Sequence, residues 1–169
     1  TGEESYLESA KIWGDVLAED FLDPEHGGYF QSPPQSKDVF VRPRIVQDNA
    51  TPSANGKLTE VLARLAAHDP EGPWADRCEG LIAAFAGEIE GNIYGLFSYF
   101  NGIETYAKRP HLEIHGDQDQ PEAEDLREVP RSRSMPSLCW VDKFENKETK
   151  AVFCDINGCQ PDIFSKADL

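Results

Sequence analysis

Apolar residues at helical spacing, cut off by prolines at 24, 70 and 110, most limit how this chain can fold. A proline removes a helical hydrogen bond and drives the residue before it out of the helical region, so no helix runs through these points. Tyr6, Ala10, Trp13, Leu17 and Phe21 recur at gaps of 4, 3, 4 and 4, which predicts a helix with one buried stripe ending near Asp23-Pro24. Thr51-Pro52 offers an N-cap oxygen followed by a proline at the first helical position. A second helix is expected from there, with a stripe of Leu58, Val61, Leu62 and Leu65 and an end by His68-Asp69-Pro70. Trp74, Cys78, Leu81, Ile82, Phe85 and Ile89 predict a third helix, entered through Gly72-Pro73 and joined closely enough to the second to form an antiparallel αα-hairpin. Ile93, Leu96, Phe97 and Phe100 suggest a fourth, weakened by Gly95 and Gly102 and closed by Arg109-Pro110.

Other segments lack that period. Glu25-His26-Gly27-Gly28 reads as a turn, because glycine reaches backbone conformations closed to other residues. Tyr29-Phe30 and Val39-Phe40-Val41 are β-type runs separated by Ser32-Pro33-Pro34-Gln35-Ser36, as in a short ribbon or long structured loop. Beyond residue 110, His111 to His115 alternates polar and apolar, Gln120 to Glu128 fits a short helix, and Ser137 to Val141 and Ala151 to Cys154 fit strands. The expected organisation is helical hairpins over 1–109 and a small β-rich tail with one short helix over 110–169.

Composition narrows the function classes. Sixteen Lys and Arg stand against 31 Asp and Glu, a formal charge of −15. Such a chain repels a phosphate backbone and an anionic bilayer, so neither nucleic acid nor membrane is an expected partner. The longest apolar run, Leu81 to Ala86, falls far short of the roughly 20 residues a membrane helix requires. Hydrophobic residues make up 39%, which is enough for a packed core. The start Thr-Gly-Glu-Glu-Ser has neither an initiator Met nor the pattern of a signal peptide, which suggests a piece of a longer protein, and four cysteines without a repeated CxxC pair in so acidic a chain suggest reduced thiols and a cytoplasmic location.

The densest polar cluster is Arg42, Arg44, Asp48, Asn49, Ser53 and Asn55, in the loop and at the start of the second helix. Helix N-termini point unpaired N–H groups outward, so this place suits a carboxylate or sugar hydroxyl beside Arg42 and Asp48. The competing role is structural, with Asp48, Ser53 and Asn55 satisfying local backbone in a sharply turning loop. His111, Glu113 and His115 share one strand face and form a zinc-like set, against the plainer reading of a solvated face above Leu112 and Ile114; no metal or other cofactor is expected. Cys154 and Cys159 flank Asp155-Ile156-Asn157-Gly158. An Asn157-Gly158 hairpin turn sets the two cysteines diagonally, about 7 to 8 Å apart and too far to bond, so free thiols are expected.

Three stretches together resemble one family. Gly27-Gly28-Tyr29-Phe30, then Val41-Arg42-Pro43 leading to Asp48-Asn49-Ala50-Thr51-Pro52-Ser53-Ala54-Asn55, and Val152-Phe153-Cys154 with Cys159-Gln160-Pro161 resemble the C-terminal portion of YyaL-like proteins, also called spermatogenesis-associated thioredoxin-domain proteins. The family string continues Pro-Ser-Gly-Asn-Ser, where this chain reads Pro52-Ser53-Ala54-Asn55-Gly56. The resemblance implies a longer parent with an N-terminal thioredoxin-like domain as partner, followed by an alpha/alpha six-hairpin barrel like those of 2-epimerases and some glycosidases. The fold class it implies is mainly α, antiparallel hairpins from that toroid with a small α/β tail. It also implies a carbohydrate-like ligand, Asp48 as the catalytic carboxylate, and Arg42, Asn49, Ser53 and Asn55 as substrate contacts. Glycoside hydrolysis needs two carboxyl groups about 5 to 10 Å apart, and Asp48 is one candidate alone. The alternative is a noncatalytic helical scaffold or interaction domain, and hairpins cut from a ring are expected to self-associate through uncovered apolar stripes.

Overall fold

A computed structural model describes residues 4–34, 39–91, 93–117, 119–133, 135, 137–144, 148–165 and 167. They form two compact units that divide between Tyr106 and Ala107.

The first unit holds α1 (Glu4–Asp20), α2 (Ala54–His68), α3 (Trp74–Ala84) and α4 (Phe97–Lys108, whose last two residues belong to the second unit), with a short connection between α2 and α3 and two short 3-10 turns, Ala86–Glu90 and Ile93–Gly95, between α3 and α4. The core is built from Leu62, Leu65, Trp74, Cys78, Leu81, Phe85, Leu96 and Tyr99, with Tyr29 and Val46 contributed by the irregular segments. Helices α2 and α3 pack as a sequential pair, tied at their connection by Trp74 Nε1 donating to Asp69 Oδ2 at 3.2 Å. Burial pushes the Tyr99 phenol up to about 12, and its hydroxyl donates to Ile82 O at 2.5 Å, fastening α4 to α3.

The α1 stripe is shifted from the expected one. Leu7, Ala10, Leu17 and Phe21 lie on the core with Gly14 buried between them, while Tyr6 and Trp13 are 61% and 66% exposed. Gly14 is the cause, because a Cβ there would sit 2.6 Å from Trp74 Cζ3, so the glycine is the contact point itself. The same holds for Gly102, which looked like a weak spot in α4. A Cβ there would meet Thr59 Cβ at 2.7 Å and the Glu60 backbone nitrogen at 2.8 Å, so α4 approaches the α2 backbone closely. Gly102→Ala should therefore destabilise by about 1 to 3 kcal/mol even though alanine favours helices by about 1 kcal/mol. Urea titration checks this, and a stabilised variant would mean the two helices separate freely.

Helix α2 begins two residues later than Thr51-Pro52 implied. Ser53 is the N-cap, its Oγ accepting from Gly56 N–H at 3.1 Å. The Thr51 carbonyl is taken instead by Asn49 N–H at 3.0 Å. Of the expected ribbon, Tyr29 makes an isolated bridge to Leu22, Val39-Phe40-Val41 forms no strand, and Gln35 and Ser36 lie outside the described residues.

The second unit is a mixed four-stranded sheet of order β2-β1-β3-β4, made of β1 (His111–Gly116), β2 (Cys139–Phe144), β3 (Lys150–Asp155) and β4 (Gly158–Cys159). Strand β1 runs parallel to β2 through the crossover helix α5 (Pro121–Ser132) and antiparallel to β3. Leu112 and Ile114 bury on one face with Leu126 of α5 and Ala151, which is what the alternation of β1 predicts. Arg127 of α5, 4% exposed, donates Nε to Asp142 Oδ1 of β2 at 2.8 Å, so helix and sheet are also tied by a buried ion pair.

This architecture corrects the expected fold class. Five helices and a four-stranded mixed sheet are not a toroid of antiparallel hairpins. Among the described residues between Asp20 and Ala54 there is no helix, so α1 is not followed by a sequential antiparallel mate there. Periodicity reported the helices, but it carried no information about how they pair.

The cysteine expectation is also overturned, because Cys154 and Cys159 form a disulfide. The turn is Ile156-Asn157 and not Asn157-Gly158, so Asp155 pairs with Gly158 and Cys154 lies directly opposite Cys159. Asp155 selects that register, its Oδ1 accepting from Asn157 N–H at 2.7 Å, and Gly158 supplies the φ of 119° that follows. Moving the turn by one residue changes a diagonal pair into a facing one.

Candidate functional site

The residues singled out by the sequence lie on the segment 42–55, and its polar atoms turn toward the chain's own backbone. Arg42 Nε donates to Ser32 O at 2.8 Å and Nη2 to Asp20 O at 3.0 Å, with the guanidinium 4.1 Å from the Phe30 ring centroid. Arg44 Nε pairs with Asp23 Oδ2 at 3.0 Å, and Nη1 also donates to Gly27 O. Asp23 in turn caps the turn after α1, accepting from Glu25 N–H at 3.0 Å and His26 N–H at 3.3 Å. Burial alone would raise the Asp23 carboxyl, but those N–H groups and Arg44 hold it below the usual carboxylate range.

Asp48 binds two segments at once. Its Oδ1 accepts from Ser53 N–H at 2.8 Å and from the Ser98 hydroxyl, and its Oδ2 accepts from Ser98 N–H at 2.8 Å. Its own N–H donates to Gly95 O at 2.7 Å. Burial pushes the carboxyl upward, and the Ser98 and Ser53 donors outweigh it, leaving Asp48 below its ordinary value and ionised at neutral pH. Arg42 and Asp48 share no hydrogen bond or ion pair.

Ser53 donates its hydroxyl to Val46 O at 2.6 Å while capping α2. Asn55, 1% exposed, accepts from Tyr29 N–H at 2.9 Å and donates to Tyr29 O at 2.9 Å and Ile45 O at 3.0 Å. Both of its amide hydrogens are thereby engaged. Asn49 is exposed and folds its Oδ1 onto Ala50 N–H at 2.9 Å. The structure thus joins Asp48 with Ser53, and Ser53 with Val46 next to the Asn55 acceptor Ile45, while Arg42 anchors separately.

Ser98 escaped the sequence reading. It lies 50 residues beyond Asp48, and no local spacing links them. One signal does exist, since a Cβ at Gly56 would fall 2.0 Å from Ser98 Oγ. The glycine at 56 leaves the room that the Ser98 hydroxyl fills. Elsewhere, His115 Nε2 lies 3.1 Å from Glu113 Oε2, and among the described residues no group of three or more His, Cys, Asp or Glu converges as a metal set. Among them, too, no helix is long and apolar enough to cross a membrane.

Known proteins set this geometry in a wider context. No family model matches the chain. Spermatogenesis-associated protein 20 of mouse (Mus musculus) is 38% identical over 85 residues, and that of rat (Rattus norvegicus) is 36% identical over the same length. The match covers 50% of this chain and 11% of each relative. It agrees with the spermatogenesis-associated side of the motif resemblance.

Proposed function

We propose that residues 3–106 are a noncatalytic interaction module that holds an apolar loop out toward a protein partner. The carrying observation is the Asp48 carboxylate, whose acceptors are taken by Ser53 and Ser98 of the same chain and so fix the loop instead of facing a substrate. The segment before α2 is pinned at Arg42, Arg44, Val46 and Asp48; it turns Phe40 and Val41, just ahead of the first pin, and Ile45, between two of them, to solvent. Phe40 is fully exposed and Val41 is 75% exposed, an arrangement that costs solvation unless something covers it. Ile93 and Tyr94, held beside Asp48 by the contact to Gly95, are exposed as well. In the arrangement the motif resemblance implies, the partner is a thioredoxin-like domain of a longer chain, and a second copy of this chain substitutes for it in solution.

Sedimentation velocity and thermal melting test this together. The chain should self-associate as its concentration rises, and Phe40→Ser with Val41→Ser should remain monomeric with an unchanged melting temperature. A monomer at every concentration would remove the interaction reading. A sugar that raises the melting temperature would restore a binding pocket, because a ligand at 100 times its dissociation constant adds about 2.7 kcal/mol to the native state.

A further inference from the structure

In the second unit the segment that follows the cysteine hairpin forms one wall of a cleft. After β4 the chain stays paired with β3, Gln160 N–H donating to Phe153 O at 2.8 Å. Ile163 N–H then donates to Ala151 O at 2.9 Å, and Ala151 N–H donates back to Ile163 O at 2.7 Å. Residues 158–163 therefore lie along β3 as a strap held by a few hydrogen bonds, by the ion pair of Asp162 with Lys150 at 2.7 Å and, at its start, by the Cys154–Cys159 bond. Beneath it is a cleft of about 480 Å³ lined by Leu112, Val129, Pro130, Phe153, Pro161 and Ile163 among others. Phe153 precedes one cysteine, and Gln160 and Pro161 follow the other, so the bond is one residue along the chain from the cleft wall on each strand, although neither cysteine lines the cleft.

Position also makes the bond reachable. β4 is the edge strand of the sheet, Cys159 is exposed and Cys154 is half-buried. The other two cysteines, Cys78 and Cys139, are in no disulfide and are buried. Attack on a disulfide requires access of a thiolate to one sulfur, and an exposed edge cysteine offers it.

We propose that Cys154–Cys159 is a reversible dithiol–disulfide exchange site whose reduction releases the strap 158–163 from β3 and opens the apolar cleft beneath it. A thiolate of a dithiol reductant attacks the exposed Cys159 sulfur, the Cys154–Cys159 bond breaks, and Cys154 leaves as a thiolate. The reductant's second thiolate then attacks its own sulfur in the mixed disulfide, so that Cys159 leaves as a thiolate too. Two protons complete the chain's dithiol, and the reductant departs as its disulfide. Freed of the covalent tie, the strap keeps the β3–β4 pairing, the hydrogen bonds at Gln160 and Ile163, the ion pair of Asp162 with Lys150 of β3 at 2.7 Å and the packing of Ile163, each of them reversible.

Alkylation with iodoacetamide under native conditions, read by mass spectrometry, tests the exchange with dithiothreitol as the dithiol. Cys154 and Cys159 should take no label before treatment and two labels after it, while buried Cys78 and Cys139 stay unlabelled until denaturant is added. Hydrogen exchange tests the strap: the amides of Ala151, Gln160 and Ile163 should exchange faster by about tenfold on reduction, with those of Leu112 and Ile114 unchanged. Cys154→Ser with Cys159→Ser should show the fast rates with no response to dithiothreitol. If that variant fails to fold, the reduced and oxidised wild-type chains still decide the matter. Label at Cys154 or Cys159 before treatment, a bond reduced in denaturant alone, or equal strap exchange in the two redox states would each overturn the proposal.

Discussion

Replacing Asn55 with alanine should cost the first unit about 4 kcal/mol, among the largest effects of any single substitution in this chain. The side chain is 1% exposed and satisfies three backbone groups at once: Tyr29 N–H, Tyr29 O and Ile45 O. Truncation leaves all three without that partner, and each such loss costs about 1 to 3 kcal/mol where the group is buried, as at Tyr29. For a unit of this size, each kcal/mol shifts the melting temperature by about 4 to 8 °C, so the fall should be unmistakable. Asn55→Asp separates hydrogen bonding from volume. It keeps the acceptor for Tyr29 N–H but sets a carboxylate oxygen against the carbonyls of Tyr29 and Ile45, so it should be as damaging as alanine at neutral pH and less so in acid. Urea midpoints for both variants check the argument, and a loss below about 1 kcal/mol for alanine would show that the turn at Tyr29 is not fastened through Asn55.

The same residue shows what can be read from sequence here and what cannot. That Asn55 and Asp48 matter was legible, because polar residues gathered at a helix start have few unremarkable roles. What they bond to was not, since Tyr29 lies 26 residues away and Ser98 lies 50 away, and neither partner has a local signature. The helices were legible where large apolar residues define the stripe, as in Trp74, Cys78 and Leu81. They were misjudged where glycine is the packing residue, because Gly14 counts as a gap in a hydrophobic pattern although it is where α1 meets Trp74. The strand alternation of Leu112 and Ile114 was legible for the converse reason, since period two needs no distant knowledge. Fold class was lost at the level above. Helix periodicity is indifferent to whether the next helix follows closely or only after a long stretch of chain, and the 33 residues between α1 and α2, of which the described ones hold no helix, decide that here. The disulfide turned on one residue of register, which the side chain of Asp155 sets through Asn157 and which a dipeptide signal cannot see.

Asp48→Asn should destabilise by about 2 to 3 kcal/mol at neutral pH, and the deficit should shrink in acid. The carboxylate accepts from two backbone N–H groups and a hydroxyl, and hydrogen bonds to an ionised acceptor are worth about 1.5 to 3 kcal/mol each before its desolvation is subtracted. An asparagine retains one acceptor oxygen and turns an NH2 toward a donor, so at least one of these contacts becomes repulsive. The sign of the pH dependence follows from the shift. Burial raises the Asp48 carboxyl, the Ser98 and Ser53 donors lower it by more, and the net value in the folded chain is below the 3.8 of the unfolded one. A group depressed on folding contributes its full stability above the unfolded value and loses it as pH falls through the folded value. Wild-type stability should thus fall below about pH 4 partly through Asp48, while the Asn variant lacks that component, so their stability curves converge in acid. If they stay parallel from neutral pH to acid, the carboxylate is not the latch between Ser53 and Ser98. A catalytic Asp48 makes the opposite demand, because a group that must meet substrate in an open site should be replaceable by Asn with little loss of stability.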